Sequence, residues 1–236
     1  MTHLANTPDP RLLSFATDVK RDTERALAFL RDSGTLTASL TFQLAQRVPG
    51  EDKVVGVGFP PPWAARQGAQ VAIVAFDGTV LHSEGPAALA GARYAPLLER
   101  RPEIDTAVHA HTPHLGAWSS AHRVLPLLYV AAQRHTLARE LPIYIDRTQP
   151  EIDFIVEQLE RNPHYPAILE ANGGATFWGK GVLKTAQSIL LLEEGARLQT
   201  IAEGLGGSKE YGPGVLDQQW KMTGLIAGGE RNPNFE

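Results

Sequence analysis

Side chains two apart on a strand project from the same face, so His109-Ala110-His111, preceded by Ala107-Val108, places two imidazoles where they can share one cation. Taken alone, the pair also reads as one satisfied core histidine beside one polar surface histidine. Glu84 adds to it: a carboxylate in the loop entering a helix sits where backbone donors and the helix dipole favour its charged form. Two histidines and one carboxylate make a metal site with open positions, whereas Glu84 by itself is equally a first-turn carboxylate supporting the helix from Pro86, worth a few tenths to about 1 kcal/mol. Asn172-Gly173-Gly174 closes a buried-type strand, Ala167 to Ala171, with residues that let backbone approach a ligand, or that make a tight connection. The chain has no cysteine, so disulfides, thiolate ligands and cysteine nucleophiles are excluded, and any metal must rest on His, Asp or Glu.

The elements that carry these residues follow from periodicity and punctuation. Leu12, Phe15, Ala16, Val19, Ala26, Leu27 and Leu30 recur at mostly three- and four-residue intervals, which predicts a helix from Pro10 to Asp32 stopped by Gly34. Thr35 to Val48 reads as one or two strands with their turn. Between Gly50 and Gly68, the Gly56-Val57-Gly58-Phe59-Pro60-Pro61-Pro62-Trp63 run reads as a loop, because three successive prolines remove donors and fix φ. Gln70 to Leu81 predicts a hairpin turning at Asp77-Gly78, and Pro86 opens a helix running to Arg100. Short strands are expected at Thr106 to His111, Pro142 to Asp146 and Ala167 to Ala171. Helices are expected from Pro113 to Ser120, Gln149 to Arg161 and Val182 to Leu205, the last capped by Gly206-Gly207, with an aromatic turn between Gly174 and Lys180. Strands and helices alternate without segregating, the mark of an α/β chain.

Composition bounds the rest. The 236 residues fit one domain, 1–236, whose tail 208–236 carries Tyr211, Trp220, Met222 and Leu225 and is expected to pack on the domain or a neighbouring subunit. Apolar residues make up 43% and charged residues 20%, so the chain folds rather than staying disordered. A formal net charge of −4 gives no electrostatic footprint for a nucleic acid or an anionic membrane, so neither is expected as a partner. The opening Met1-Thr2-His3-Leu4-Ala5-Asn6-Thr7-Pro8 has no basic region leading into an apolar run, and a cytoplasmic location is expected.

Three segments taken together carry a resemblance: His82-Ser83-Glu84, then His109-Ala110-His111-Thr112-Pro113, then Leu169-Glu170-Ala171-Asn172-Gly173-Gly174 leading to Trp178-Gly179-Lys180 and a long helix with Glu193-Glu194. In that order and spacing, from about Asp18 to Gly207, the chain resembles the class II aldolase and adducin family. The resemblance implies a three-layer α/β/α fold with a central, mostly antiparallel sheet flanked by helices. It also implies a homo-oligomer, with a tetramer favoured, and a divalent metal, Zn, Mn or Fe. The family's His-x-His ligands fall on His109 and His111, and its acid falls on Glu84, which would serve as third ligand, as general acid/base, or as each in different steps. Ser83, Asn172 and Gly173 fall at substrate-binding positions.

Two departures shape the expected activity. Where the family has a third metal histidine this chain has Gly173, which offers no side-chain donor. Glu84 is the first choice to replace it, ahead of His82, His114 and Glu170. Where sugar-phosphate members use Thr-x-Gly-Asn and paired serines to hold phosphate, this chain has Thr37-Ala38-Ser39-Leu40-Thr41 and Ser83 alone, too few donors for a buried phosphate. The expectation is a metal-dependent carbon–carbon lyase, aldolase or decarboxylase, on a small carboxylated and unphosphorylated substrate. Arg123, Arg134, Arg147 and Lys180 are available as carboxylate partners, none of them assigned to the site. The alternatives are a non-catalytic assembly domain like the adducin head, and an epimerase or dehydratase at the same metal.

Overall fold

A computed structural model describes residues 9–64, 68–212 and 214–228. Met1–Pro8, which carries the expectation about a leader, and the last eight residues of the tail lie outside the described residues. In chain order the elements are α1 (Pro10–Asp32), β1 (Phe42–Arg47), β2 (Lys53–Gly58), β3 (Gln70–Ala75), β4 (Val80–Ser83), α2 (Pro86–Ala92), α3 (Ala95–Arg100) and β5 (Thr106–Ala110). They continue with α4 (Pro113–Ser120), β6 (Leu125–Pro126), α5 (Val130–Gln133), β7 (Glu140–Leu141), β8 (Ile143–Tyr144), α6 (Glu151–Arg161), β9 (Ala167–Glu170), β10 (Ala175–Gly179), α7 (Val182–Glu203) and α8 (Val215–Thr223). The chain falls into two compact units, Met1–His111 with Thr176–Ala186, and Thr112–Ala175 with Gln187–Glu236. The sheet is mixed and flanked by helices, as an α/β chain requires.

In the first unit the strands run in the order β4-β3-β2-β1-β5-β10, and the pairs β4/β3, β3/β2, β2/β1 and β1/β5 are antiparallel. β2 lies inside the stretch that reads as a loop. Its pattern is hidden because Gly56 and Gly58 occupy the alternate positions where a half-buried strand shows side chains. Both glycines face α2: a Cβ on Gly56 would come 2.5 Å from the Ala88 carbonyl oxygen. Cross-strand partners share a face, so Gly58 ties Gln43 on β1, and through it His109 on β5, to the face that α2 covers. Val55 and Val57 point the other way and are fully buried. α1 packs on β1, β2 and β3 through the stripe Leu12, Ala16, Val19, Thr23, Ala26 and Leu30.

The helix expected from Pro86 to Arg100 is two helices. Pro96 has no N–H and its ring collides with the carbonyl four residues back, so α2 ends at Ala92 and α3 begins at Ala95. The joint leaves Arg93 exposed and Tyr94 fully buried. α2 itself, Pro-Ala-Ala-Leu-Ala-Gly-Ala, has almost no side-chain bulk and therefore lies close on the sheet. Gly91 lies directly on the sheet backbone, since a Cβ there would stand 2.5 Å from the Leu44 carbonyl oxygen and 2.6 Å from that of Val57. Backbone cannot yield as a flexible side chain does, so Gly91→Ala is expected to cost at least the 1–3 kcal/mol typical of overpacking. Urea denaturation of the full chain checks this, the midpoint falling with the slope unchanged.

In the second unit β8 pairs parallel with β9, and β6 pairs antiparallel with β7. α6 buries Ile155, Val156, Gln158 and Leu159. The tail docks within this unit: α8 packs on α5, Trp220 Nε1 donates to the Gln133 and Thr136 carbonyls at 2.9 and 3.1 Å, and Arg134 donates to Gln219. β10, expected as an aromatic turn, is a strand because Thr176, Phe177 and Trp178 bury side chains on both of its faces.

Candidate metal and substrate site

β5 delivers the two histidines as the period of two requires. His109 is buried and paired in register with Gln43, while His111 follows the last strand residue. The His111 backbone is gripped on both sides, its N–H donating to the Thr41 carbonyl at 3.2 Å and its carbonyl accepting from Thr37 N–H at 3.0 Å. The two rings meet edge to face, centroids 5.0 Å apart and planes at 75°. That separation has a chemical meaning. An ion about 2.1 Å from each Nε2 lies roughly 3.2 Å from each centroid, and a tetrahedral angle at the ion then sets the centroids about 5 Å apart.

His109 is also oriented from behind. Its Nδ1 lies 3.3 Å from Thr176 Oγ1 on β10, Thr176 Oγ1 lies 2.9 Å from Tyr94 Oη, and Arg93 donates to Tyr94 Oη at 2.6 Å. Thr176 and Tyr94 are fully buried. A hydroxyl at Nδ1 is the kind of partner that orients a histidine whose Nε2 ligates an ion. Across from His109 on the same sheet face, Gln43 Oε1 is buried without a hydrogen-bond partner among the described residues. A buried acceptor left in this state is costly unless a ligand meets it. The two imidazoles and the acceptor beside them fit a divalent ion and its bound substrate.

Glu84 does not join them. Its backbone follows β4, four strand steps or about 19 Å from β5 at about 4.8 Å per step, and its carboxylate folds back onto β3, three steps from β5. Its Oε2 accepts from Lys20 Nζ at 2.9 Å and from Val71 N–H at 3.0 Å. Among the described residues no group of three His, Cys, Asp or Glu side chains is placed to hold one metal ion, so the expected His109, His111 and Glu84 set is not assembled. The physical reason is β4 itself, an edge strand whose end fixes Glu84 against β3 and α1. Ser83 serves the same turn: its hydroxyl donates to the Gly85 carbonyl and lies 3.2 Å from Gly85 N–H. His82, on β4, shares this distance from β5.

Of the remaining sequence candidates, all but Lys180 fall in the second unit. Asn172 takes the left-handed conformation, φ 54°, which asparagine tolerates, and its amide lies 3.0 Å from His122 Nε2. Gly173 leaves room taken up by Arg147, whose guanidinium nitrogen would stand 3.7 Å from a Cβ there. Arg147 donates to the Ala171 carbonyl at 3.2 Å and pairs with Glu170 at 3.5 Å. Arg123 pairs with Glu203 and stacks on Trp118, and Lys180 is exposed. His114 is held by Glu193: Nδ1 lies 2.7 Å from the carboxylate, which also accepts the His114 and Leu115 backbone N–H groups at 2.7 and 2.9 Å.

Gln43, Tyr94 and Thr176 are the site residues that sequence reasoning misses. Thr176 and Tyr94 stand 82 residues apart, and Thr176 and His109 stand 67 apart, so no local spacing connects them. Alternation could have suggested Gln43 once β1 was registered against β5.

Comparison with known proteins identifies the family. The family model of the class II aldolase and adducin N-terminal domain matches residues 47–200. The L-ribulose-5-phosphate 4-epimerase UlaF of Salmonella paratyphi B is 26% identical over 144 residues, 56% of this chain and 63% of that protein, so the match spans less than two thirds of the relative. The UlaF of Salmonella typhi matches to the same extent. Among solved structures, an L-fuculose 1-phosphate aldolase superposes with TM-score 0.71 at 14% identity, over 88% of this chain and 96% of that one. An aldolase II superfamily protein from Pseudomonas syringae superposes with TM-score 0.65 at 19% identity, over 92% and 86%. These two likenesses speak for the fold. With the family model spanning more than half its length, this chain belongs to the class II aldolase and adducin N-terminal domain family.

Proposed function

We propose that the chain is a metal-dependent carbon–carbon lyase, acting as an aldolase or decarboxylase on a small carboxylated, unphosphorylated substrate. The observation that carries the reading is the His109–His111 pair, its rings spaced as two imidazoles sharing one ion and His109 held at Nδ1 by Thr176. A divalent ion bound there supplies Lewis-acid stabilisation of the negative charge that develops on a substrate oxygen as the bond breaks. The protein's own part is to hold that ion with two imidazoles and to offer Gln43 Oε1 as acceptor for a substrate hydroxyl. Zn, Mn and Fe all suit imidazole ligands. Glu84, occupied by Lys20 and Val71, is not the third ligand or the acid/base in this reading.

The substrate class rests on the hydroxyls. Thr37, Ser39 and Thr41 bond one another at 2.9 and 3.2 Å, Leu40 between them offers no donor, and the Ser83 hydroxyl is tied to Gly85. A phosphate dianion needs several free donors around it, and these positions leave few. A homo-oligomer is part of the proposal, supported by Leu198 and Ile201 exposed toward the end of α7 and Leu205 exposed just beyond it. No helix among the described residues is long and apolar enough to cross a membrane.

The test is turnover with added Zn, Mn or Fe(II) against a panel of small hydroxy acids and sugar acids, with sugar phosphates for contrast. Release of carbon dioxide or an aldehyde from an unphosphorylated acid is the expected result. Cleavage confined to sugar phosphates overturns the substrate class. Interconversion of stereoisomers without cleavage would make the chain an epimerase, the activity named for the Salmonella relatives. Neither metal uptake nor turnover would leave a non-catalytic assembly domain.

A further inference from the structure

We infer that Thr176, backed by Tyr94 and Arg93, is the positioning residue of the metal site: it engages Nδ1 of His109 and so commits Nε2 to the ion. The inference rests on the metal reading above, and its observations are separate from the pair itself. The sheet places His109 on the face covered by α2, and the α2–α3 joint created by Pro96 brings Tyr94 over that face. From the joint, Tyr94 Oη reaches Thr176 Oγ1 at 2.9 Å, and Thr176 Oγ1 lies 3.3 Å from His109 Nδ1. Arg93 closes the line from the solvent side, donating to Tyr94 Oη at 2.6 Å, its guanidinium carbon 4.8 Å from the tyrosine ring centroid.

Hydrogen-bond inventory fixes the direction. Arginine only donates, so Tyr94 Oη accepts from it. With Nε2 on an ion, Nδ1 carries the proton and donates to Thr176 Oγ1, and the Thr176 hydroxyl proton turns to Tyr94 Oη. The arrangement resists rotation because Thr176 and Tyr94 are fully buried and His109 nearly so. A valine at 176 would fill the same space with no oxygen, leaving Nδ1–H facing a methyl group.

Titration of the full-length protein with Co(II) and Zn(II) tests this, using wild type, Thr176→Val, Thr176→Ser and His109→Ala. Loss of such a partner typically weakens metal affinity 10–100-fold, so Thr176→Val is expected to bind Co(II) at least about tenfold more weakly, with Thr176→Ser within about threefold of wild type. If Thr176→Val binds as wild type while His109→Ala binds more weakly, the positioning role is overturned and the metal site stands. If wild type binds neither ion, the metal reading falls and the positioning role falls with it. Should Thr176→Val fail to fold, nitrogen NMR of the zinc-loaded wild type decides. A His109 ring with Nε2 on zinc and Nδ1 protonated supports the assignment, and ligation through Nδ1 overturns it.

Discussion

His109→Ala combined with His111→Ala is expected to abolish measurable divalent-ion binding. The magnitude follows from ligand arithmetic. Four-ligand structural zinc sites bind with roughly 10–16 kcal/mol, about 3 kcal/mol per ligand, and 1.4 kcal/mol is a tenfold change. A site with two protein ligands is then worth about 6 kcal/mol, a dissociation constant of tens of micromolar, and each imidazole about a hundredfold. Wild type should therefore lose its ion on dialysis and regain it on titration, unlike a site with all its ligands in place. Either single variant should fall to the millimolar range and the double variant below detection. Calorimetric titration with Zn(II), or competition with a chromophoric chelator, reads these values directly. Unchanged affinity in the double variant would move the ion elsewhere, and binding tighter than micromolar in wild type would require a third ligand that the described residues do not assemble.

What was readable in the sequence divides along physical lines. His109 and His111 were legible because a strand's period of two is local and needs no partner to be seen. α1 and α6 were legible for the same reason at the helical period. β2 was not, because the residues that would show its alternation, Gly56 and Gly58, are absent side chains whose purpose is to admit α2. The break at Pro96 was open to reading, since the proline lies inside the expected helix, yet the apolar period ran through it. Glu84 shows the limit of spacing arguments. Its place before a helix was correct, but strand order decides what faces what, and β4 sits at the sheet edge with three strands between it and β5. Thr176 and Tyr94 were beyond reach for a related cause: their meeting depends on where β10 inserts beside β5 and where α2 stops.

Glu193→Ala is expected to produce a loss of stability as large as that of emptying a core position of the second unit. Glu193 lies on α7, is 4% exposed, and its carboxylate takes the place of a capping side chain for α4. Thr112, at the N-cap, makes no side-chain capping bond, so the first turn of α4 depends on a distant residue for its acceptors. Oε1 accepts from the His114 N–H and Nδ1, and Oε2 from the Leu115 N–H. Alanine leaves the two backbone donors and the ring nitrogen facing a cavity, and hydrogen bonds to a charged acceptor are each worth about 1.5–3 kcal/mol. Allowing for water entering at half-exposed His114, the expected loss is about 3–5 kcal/mol. Trp118 sits on α4 itself and donates to Thr200 on α7 at 3.1 Å, so its fluorescence should report the change. Glu193→Gln should lose less, because one amide oxygen still accepts while the amide NH₂ meets a donor. A loss below about 1 kcal/mol in urea denaturation of Glu193→Ala would show that α4 finds other acceptors, and that Glu193 is not what fixes His114 three residues beyond His111.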